Sequence, residues 1–484
     1  MSKPSSFADV ELDVNPGPKV RPQPVEPEAP FRVLILGDFS GRANRGVFET
    51  RPGTRRAVRV DRDNFDTVIE KLRPELIFPL AGGQSPALAI RFKHLDDFHP
   101  DRLFEQLDVF QALRGLREKL SDSATFAAAA RALEPAEPPP PPSRPAKITL
   151  DDLLDESDAS SAGPARALDD WSAMLRDIVA PHLVPGVDPH QAELIAKVDV
   201  ATSDAMRVLL HQPAFQELEA AWQAVYFLIR RLETGPELKL YLLDVSKVEL
   251  AAELEAARDD LRLSDLWRIA VEETVGASGG QPWAVLAGDY SFGPSPGDLK
   301  LLARVGAIAR EAAAPFLAAT SPRMLENITS GAFGQIRKLP QARWIGLALP
   351  RFLLRLPYGK ETSPVEQFAF EEVGPAPEHE AYLWGNPAMA CAYLLGEAFN
   401  RQGWDMQPGV VREIDGLPLH VYKEDGEAKV KPCAEVLMTE ESAEALLENG
   451  IMPLASLRDR DTIRLIRFQS IADPPAPLVG RWRG

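Results

Sequence analysis

The sequence predicts a mixed α/β fold (α+β mixed) in which mixed sheets are flanked by helices. Apolar strand-like runs alternate with helical patterns from residue 31 onward, and this alternation is typical of sheets covered by helices. The 484 residues are 45% hydrophobic and 26% charged, which is the composition of a globular protein. Because a chain of this length exceeds one ordinary core, we expect more than one folded unit.

Proline-rich stretches divide the chain. Residues 1–30 are polar and proline-rich, so we predict a flexible arm without its own core. A first domain is expected at 31–133, followed by a linker at 134–147 whose five consecutive prolines favour a stiff spacer. A ligand for an SH3-type domain is the alternative for this linker. An acidic amphipathic segment at 148–180 then leads to a second domain at 181–484.

The first domain should begin with a strand at 31–37, an apolar run that ends in glycine. A helix is predicted at 63–72, an extended segment at 87–92 and a second helix from 100 to about 120. That second helix has proline at its first position and Asp101 next to it, which favours the helix dipole.

The second domain should open with helices up to about residue 233. One of them carries an apolar stripe that indicates a core-facing surface, formed by Phe215, Leu218, Trp222, Val225, Ile229 and Leu232. Ser295 followed by proline predicts another helix start, and we place Phe316 on the inward face of that helix. Further strands and helices are expected at 239–246, 251–262, 285–292, 343–350, 386–402, 418–423, 441–449 and 463–468.

Two similar motifs end predicted strands, VLILGDFSG at 33–41 and VLAGDYSFG at 285–293. Neither has the glycine spacing of a dinucleotide site or a phosphate loop, and the acid after each glycine would repel phosphate. We therefore predict adjoining structural turns, in which glycine lets the backbone turn and aspartate bonds the turn's amides. The predicted turn residues are Gly37, Asp38, Phe39, Gly288, Asp289 and Tyr290. A nucleotide-binding hydrolase that uses both turns is the alternative.

No residue pattern indicates a catalytic, cofactor or metal site. The seven histidines form no zinc-ligand spacing, and HLDDFHPD at 94–101 is explained in part by the helix start at residue 100. The two cysteines, Cys391 and Cys433, are too few for a disulfide framework or a cysteine-based zinc site. We therefore expect a protein that is not an enzyme and binds no cofactor.

The charge distribution indicates protein partners. A net charge of −17 argues against nucleic acid or an anionic membrane as partner, and the absence of a long apolar run argues for a cytoplasmic protein. Residues 42–62 nevertheless hold seven arginines and two acids. This segment is either a solvated loop or a patch that docks onto the acidic surface of a neighbouring copy. Its arginines are Arg42, Arg45, Arg51, Arg55, Arg56, Arg59 and Arg62.

The stretch from 344 to 386, with LPRFLLRLPYG and YLWGN, closely resembles the large subunit of the type VI secretion contractile sheath, TssC. The residues that match its signature are Pro350, Arg351, Phe352, Arg355, Pro357, Tyr358, Gly359, Pro364, Trp384, Gly385 and Asn386. The resemblance extends over about 148–470. Residues 31–133 are similar to the small sheath subunit, TssB, through PFRVLILGDFSGRANRG and LDDFHPDRLFEQLDVF.

The resemblance implies a structural sheath protomer in the bacterial cytoplasm, with a TssB-like domain fused to a TssC-like domain. In the family, the two subunits form an intertwined pair that polymerises around an inner tube and contracts. The implied partners are further copies or other sheath subunits, the inner tube protein, the baseplate and an AAA+ recycling ATPase that would recognise the Leu150–Leu154 region.

Family large subunits continue beyond the point that matches residue 484, so we expect the TssC-like domain to lack the family's C-terminal region. Strands from that region augment strands of neighbouring subunits in the family. A sheath-derived cap, initiator or adaptor that does not polymerise along the tube is therefore the alternative function.

Overall fold

The structure, a computed structural model, describes residues 29–48, 53–78, 88–133, 191–258, 260–322 and 333–483. The predicted linker at 134–147, the acidic segment at 148–180 and all but the last two residues of the arm lie outside these ranges. The strands are β1 (Phe31–Gly37), β2 (Val58–Val60), β3 (Glu75–Phe78), β4 (Leu88–Arg91), β5 (Leu238–Asp244), β6 (Val285–Phe292), β7 (Phe316–Thr320), β8 (Ile345–Leu349), β9 (Phe352–Leu353), β10 (Trp384–Gly385), β11 (Glu413–Ile414), β12 (His420–Glu424), β13 (Glu427–Lys431), β14 (Ile451–Ser456) and β15 (Ile463–Leu465).

The helices of seven or more residues within the described ranges are α1 (Phe65–Leu72), α2 (Pro100–Gln106), α3 (Asp108–Ser121), α4 (Phe126–Leu133), α5 (Gln191–Leu210), α6 (Pro213–Arg231), α7 (Lys247–Ala256), α8 (Pro296–Ala312), α9 (Pro387–Gln402) and α10 (Glu440–Glu448). Shorter helical turns lie at Leu95–Phe98, Leu261–Leu263, Asp265–Trp267, Arg268–Glu272, Gly334–Lys338, Pro340–Trp344, His379–Ala381 and Gly403–Asp405. None of the described helices combines the length and the apolar character needed to span a bilayer.

Nine strands of the described residues form one mixed sheet, in the order β11-β15-β14-β8-β7-β6-β1-β5-β2. The strands from β14 through β5 are parallel, and β15, β11 and β2 extend the sheet in antiparallel pairing. β1 lies between β5 and β6, with seven residue pairs to the first and four to the second. The predicted mixed α/β fold is therefore confirmed, and both parts of the chain contribute to its central sheet.

Both faces of β1 are covered. Val33 and Ile35 pack into a core that includes Trp222 of α6, whereas Leu34 and Leu36 pack into a second core on the opposite face. Successive residues of a strand point to opposite faces. A strand that is buried on both faces is expected to be a continuous apolar run, which is what FRVLILG shows.

Two element predictions are wrong in instructive ways. The helix expected from 100 to about 120 is two helices, because Leu107 adopts extended backbone angles between α2 and α3. Phe316 lies on β7 rather than on α8, which ends at Ala312. Pro315 was the signal we missed, since proline disrupts the interior of a helix. The predicted start of α8 is confirmed, because the Ser295 side chain accepts a hydrogen bond from a first-turn amide.

Candidate functional site

The two glycine–aspartate motifs lie side by side on the neighbouring strands β1 and β6. Leu36 is paired with Gly288, and a Cβ placed on Gly37 would lie 3.2 Å from the Cβ of Asp289. The expectation that the two motifs adjoin is therefore confirmed. Their local structures differ, however.

At the first motif the chain turns as predicted. The two carboxylate oxygens of Asp38 accept hydrogen bonds from the backbone N–H groups of Arg42 (2.6 Å) and Ala43 (2.8 Å). Phe39 is fully buried, and its ring meets Trp222 edge-on at 5.6 Å between centroids. The Trp222 Nε1–H donates to the Phe39 carbonyl at 2.9 Å. Aspartate closes the turn and the aromatic residue anchors it to α6.

At the second motif the predicted turn is wrong. β6 continues through residues 288–290 to Phe292, and its pairing with β7 changes register beyond Ala287. A register shift inside the strand takes the place of the expected turn. The Tyr290 hydroxyl is buried and donates to the carbonyl of Val245 at 2.7 Å.

Close packing, rather than backbone rotation, explains the glycine of each motif. The positive φ of the first turn, +73°, belongs to Gly41. A Cβ on Gly37 would lie 3.0 Å from the ring of Phe39, and a Cβ on Gly288 would lie 2.6 Å from the ring of Phe316. Our prediction that Gly37 and Gly288 let the backbone turn is therefore wrong, because their missing side chain serves close approach.

Asp244, the last residue of β5, completes the first turn and was not singled out from the sequence. Its carboxylate accepts from the N–H of Phe39 (2.9 Å), from the N–H of Ser40 (3.1 Å) and from the Ser40 hydroxyl (2.7 Å). Burial raises the pKa of Asp244 to about 6. An aspartate directly after the apolar run LKLYLL is the signal that could have identified it.

A cleft of about 560 Å³ opens beside the two motifs, and the acids Asp38, Glu217, Asp289 and Glu380 line it. Burial raises the pKa of Asp289 to about 7, and the charge of Glu217 contributes to that rise. Burial also raises the pKa of Glu217, with a contribution from Asp38. Like charges that raise one another's pKa favour a cation in the cleft and oppose a phosphate group.

The arginine-rich segment is held against helix α7. The Arg42 guanidinium makes two 2.8 Å hydrogen bonds with the Glu249 carboxylate. Arg55, whose side chain is 8% exposed, pairs with Glu249 and Glu253. Arg42 and Arg55 are thus neither solvated nor directed at a neighbouring copy, because acids of α7 neutralise their charge.

The other described arginines of the predicted patch bond to acids or to backbone carbonyls of the same chain. Arg45 pairs with Glu75, Arg59 pairs with Asp61, Arg56 donates to the carbonyls of Gly53 and Arg55, Arg62 donates to the carbonyls of Ile229 and Arg230, and Arg51 lies outside the described residues. Arg56, Arg59 and Arg62 are exposed, so docking onto a neighbouring copy stays a prediction for these three and for Arg51.

The signature segment folds around a buried arginine. Arg355 makes paired hydrogen bonds with Glu219 of α6 (2.6 and 3.1 Å) and with Glu372 (2.7 and 3.1 Å). Burial raises the pKa of Glu219. Burial also acts to raise the pKa of Glu372, but the Arg355 charge and the hydrogen bonds from His211, Arg355 and the Tyr358 backbone together lower it. The ring of Tyr358 lies 4.0 Å from the guanidinium carbon, in cation–π geometry. The cluster therefore ties the signature segment to α6.

A second charged pair, Arg351 with Glu435, holds the start of the signature segment. The shortest distance between their side chains is 2.6 Å. Burial would raise the pKa of Glu435, but hydrogen bonds from His379 and Arg351 lower it to about 2. Asn386 links the end of the signature to the second motif, because its Nδ2 donates to the Tyr290 carbonyl at 3.1 Å.

The remaining signature residues shape the backbone and core around these pairs. Pro350 follows a cis peptide bond, Phe352 is buried, the Pro357 carbonyl accepts from Thr362, Pro364 is exposed, Trp384 donates to the His379 carbonyl, and Gly359 and Gly385 lie where a Cβ would crowd Glu371 and Leu354.

The signature segment also contacts the N-terminal part of the chain. The Asp101 carboxylate accepts hydrogen bonds from the backbone N–H groups of residues 366 and 367, at distances from 2.9 to 3.1 Å. Phe104 stacks on Phe368 with 4.8 Å between ring centroids. From the sequence, Asp101 was assigned only a helix-dipole role, because its partners lie more than 260 residues away.

Within the described ranges, no group of three or more His, Cys, Asp or Glu side chains could hold a metal ion. His99 of the HLDDFHPD stretch accepts a hydrogen bond from the Asp101 N–H, which caps α2. Both cysteines are buried, and burial raises the pKa of Cys391 to about 12 and that of Cys433 to about 11. Thiols with raised pKa values are poor nucleophiles at neutral pH.

Both parts of the chain match known protein families. A family model described as "VipB: EvpB/VC_A0108, tail sheath N-terminal domain" matches residues 192–339 and 328–472, which together make up more than half of the chain. A second model, described as "Type VI secretion system, VipA, VC_A0107 or Hcp2", matches residues 11–135.

Two curated relatives from Pseudomonas aeruginosa match the same two parts. The type VI secretion system sheath protein TssC1 is 33% identical over 304 residues, which cover 58% of this chain and 61% of the relative. The sheath protein TssB1 is 25% identical over 103 residues, which cover 20% of this chain and 59% of the relative. The chain spans about three fifths of the length of each relative. It belongs to the VipB tail sheath family and carries a VipA-like segment ahead of the VipB-like part, an order consistent with a TssB–TssC fusion.

Proposed function

We propose that this chain is a structural protomer of a type VI secretion contractile sheath in which the small-subunit and large-subunit parts are one polypeptide. The observation that supports the proposal most strongly is the position of β1. This strand comes from the VipA-like segment, yet it pairs on both edges with strands of the VipB-like part. Because β1 is also buried on both faces, the two parts depend on one another for their core.

Fusion has a direct physical consequence for such a protomer. Two separate subunits must meet before β1 can enter the sheet, whereas a linker makes that step intramolecular and raises the effective concentration. The linker also fixes a one-to-one ratio of the two parts. Together these effects would deliver complete protomers to a growing assembly.

The partners that follow from this role are further copies of the chain or other sheath subunits. Both relatives are named as sheath proteins, which supports this assignment. We extend the proposal to the inner tube protein and the baseplate, and to an AAA+ recycling ATPase that would recognise the Leu150–Leu154 region, which lies outside the described residues. In this role the protein would work in the bacterial cytoplasm.

Electron microscopy of the purified full chain over a range of concentrations tests the proposal. We expect helical tubes, or oligomers that lengthen with concentration, alone or with the organism's other sheath proteins. A chain that stays monomeric by light scattering at all concentrations, with and without those partners, would contradict the proposal. In cells, a fluorescent fusion should label the whole tube, and labelling confined to tube ends would instead favour a cap or adaptor.

Separate expression of the two parts tests the role of β1. Residues 1–147 and 148–484, produced together as two chains, should copurify as a one-to-one complex because β1 completes the sheet. Residues 148–484 produced alone should be poorly soluble. If that fragment instead folds stably by itself, β1 is dispensable and the observation loses its force.

A further inference from the structure

The cleft beside the two motifs combines an apolar wall with an acidic rim. Pro213 and Val248 are exposed apolar residues of the wall. The exposed acids Glu217 and Glu380 form the rim, and the half-buried Asp38 and Asp289 also line the cleft. A groove of about 560 Å³ lies in the size range of clefts that bind ligands or peptide segments.

The charge in this cleft is not balanced within the described part of the chain. Glu217 is exposed and has neither a hydrogen bond nor an ion pair there. The two cations that line the cleft are engaged elsewhere, since Lys247 pairs with Asp298 at 2.6 Å and Arg351 pairs with Glu435. The cleft therefore offers carboxylates and apolar surface to a partner that brings positive charge and apolar groups.

The arm of this chain has that chemistry in a regular pattern. Pro18, Arg21, Pro24 and Pro27 are spaced three residues apart in NPGPKVRPQPVEP. A polyproline II helix has three residues per turn and a rise of about 3.1 Å per residue, so these four side chains would lie along one edge. Such edges bind in apolar grooves and lose little conformational entropy on binding, because the proline backbone is already restricted.

We propose that this arm edge of one copy docks in the cleft of a neighbouring copy, with Arg21 at the acidic rim and the prolines against the apolar wall. The inference deepens the proposed sheath function and rests on it, since it names a contact between protomers. Charge complementarity supplies the orientation, because Arg21 is the basic residue on the proline edge and the exposed acids Glu217 and Glu380 both line the cleft.

Reach prevents the complete edge from Pro18 to Pro27 from docking in the cleft of its own copy. Ala29 is held where its carbonyl accepts from the Trp404 Nε1–H, next to the start of β1. The cleft lies beyond the other end of that seven-residue strand, about 20 Å away at 3.3 Å per residue. Pro27 is only two residues from Ala29, so it cannot lie in the cleft of its own copy. A contact between an arm and a different surface is head-to-tail, and such contacts generate open helical assemblies unless they close into rings.

Fluorescence anisotropy with a labelled peptide of residues 15–28 tests the contact directly. The receptor is the full chain with Arg21→Glu, so that its own arms do not occupy the clefts. Adding Glu217→Lys to the receptor should weaken peptide binding at least tenfold. Adding Glu444→Lys is the matched control, because Glu444 is also an exposed glutamate at the fifth position of a helix, and it should leave binding unchanged.

Several outcomes would overturn the proposal. These are equal binding by the Glu217→Lys receptor, no binding at millimolar receptor, or equally tight binding of a peptide from the linker at 134–147. On the receptor that keeps Glu217, a peptide with Arg21→Glu should bind at least tenfold more weakly than the wild-type peptide. Rising salt should weaken the binding of the wild-type peptide, because the acidic rim is exposed.

Sedimentation of full chains gives an independent test by charge exchange. Arg21→Glu and Glu217→Lys should each reduce the assembled fraction at a given concentration, and the double variant should recover most of it. If tubes form normally in all three variants, the arm contact fails while the sheath function stands. If the peptide binds as expected but no copy assembles, the sheath function fails instead.

Discussion

The two glycine–aspartate motifs share their letters but not their structures. In the first, Asp38 closes a turn by accepting from two backbone amides, and Phe39 anchors that turn on Trp222. In the second, the strand continues and Asp289 has a pKa near 7. The difference shows that a strand-end motif acquires its role from the elements that pack on it, here α6 for one copy and the neighbouring β7 for the other.

The largest expected effect concerns the glycines. Gly288→Ala should lower the free energy of unfolding by about 3 kcal/mol, because the new methyl group would overlap the Phe316 ring in a core that cannot expand. Gly37→Ala should lower it by about 1 kcal/mol, since its contacts are longer. Denaturant unfolding of both variants gives the comparison, and equal losses would remove the distinction between the two sites.

Asp244→Ala should cost about 2 kcal/mol, because it removes the acceptor of three hydrogen bonds from Phe39 and Ser40. Asp244→Asn keeps the shape and one acceptor oxygen, so it should cost less. Thermal and denaturant unfolding measure both. A loss below about 0.5 kcal/mol for the alanine variant would mean that the first turn does not depend on β5.

Asp289 should make stability depend on pH. The folded chain keeps the Asp289 proton up to about pH 7, whereas an unfolded aspartate releases it near pH 4. Between these values the native state binds more protons, so stability falls as pH rises and then levels off. Asp289→Asn should reduce the difference in the free energy of unfolding between pH 5 and pH 8 by at least about 1 kcal/mol. Denaturant unfolding at the two pH values measures this difference. An unchanged slope would contradict the assignment.

The smallest expected effect is at Asp38. Asp38→Ala should lower the free energy of unfolding by about 1 kcal/mol, as for the loss of a capping side chain that serves backbone amides. Asp289→Ala should show no comparable loss above pH 7, because the wild-type carboxylate is then charged in a buried site that disfavours the charge. If Asp289→Ala were the more destabilising of the two at pH 8, the roles of the motifs would be reversed.

Much of the architecture could be predicted from local patterns. The strand at 31–37 and the start of α8 after Ser295 were predicted because an apolar run and a capping sequence are local signals. Phe316 was misplaced because an apolar helix and an apolar strand follow one another with little polar sequence between them. The second motif was misread as a turn because glycine and aspartate usually mark one.

The candidate site was less accessible to sequence reasoning. Arg42 and Arg55 were read as a surface patch, yet their acidic partners lie about 200 residues later on α7. Glu219 and Glu372, which enclose Arg355, are separated from each other by more than 150 residues. Ion pairs between such distant segments produce no local sequence pattern from which they could be predicted.

Local chemistry was enough to specify most of the strands and helices, the start of α8 and the family signature that the chain carries. These features depend on side chains within a few residues of one another. Packing between distant segments specified that β1 lies between β5 and β6, that one motif turns while the other continues, and that the acids share a cleft. Such arrangements arise when separate apolar faces bury one another, and their partners come from segments about 200 residues apart.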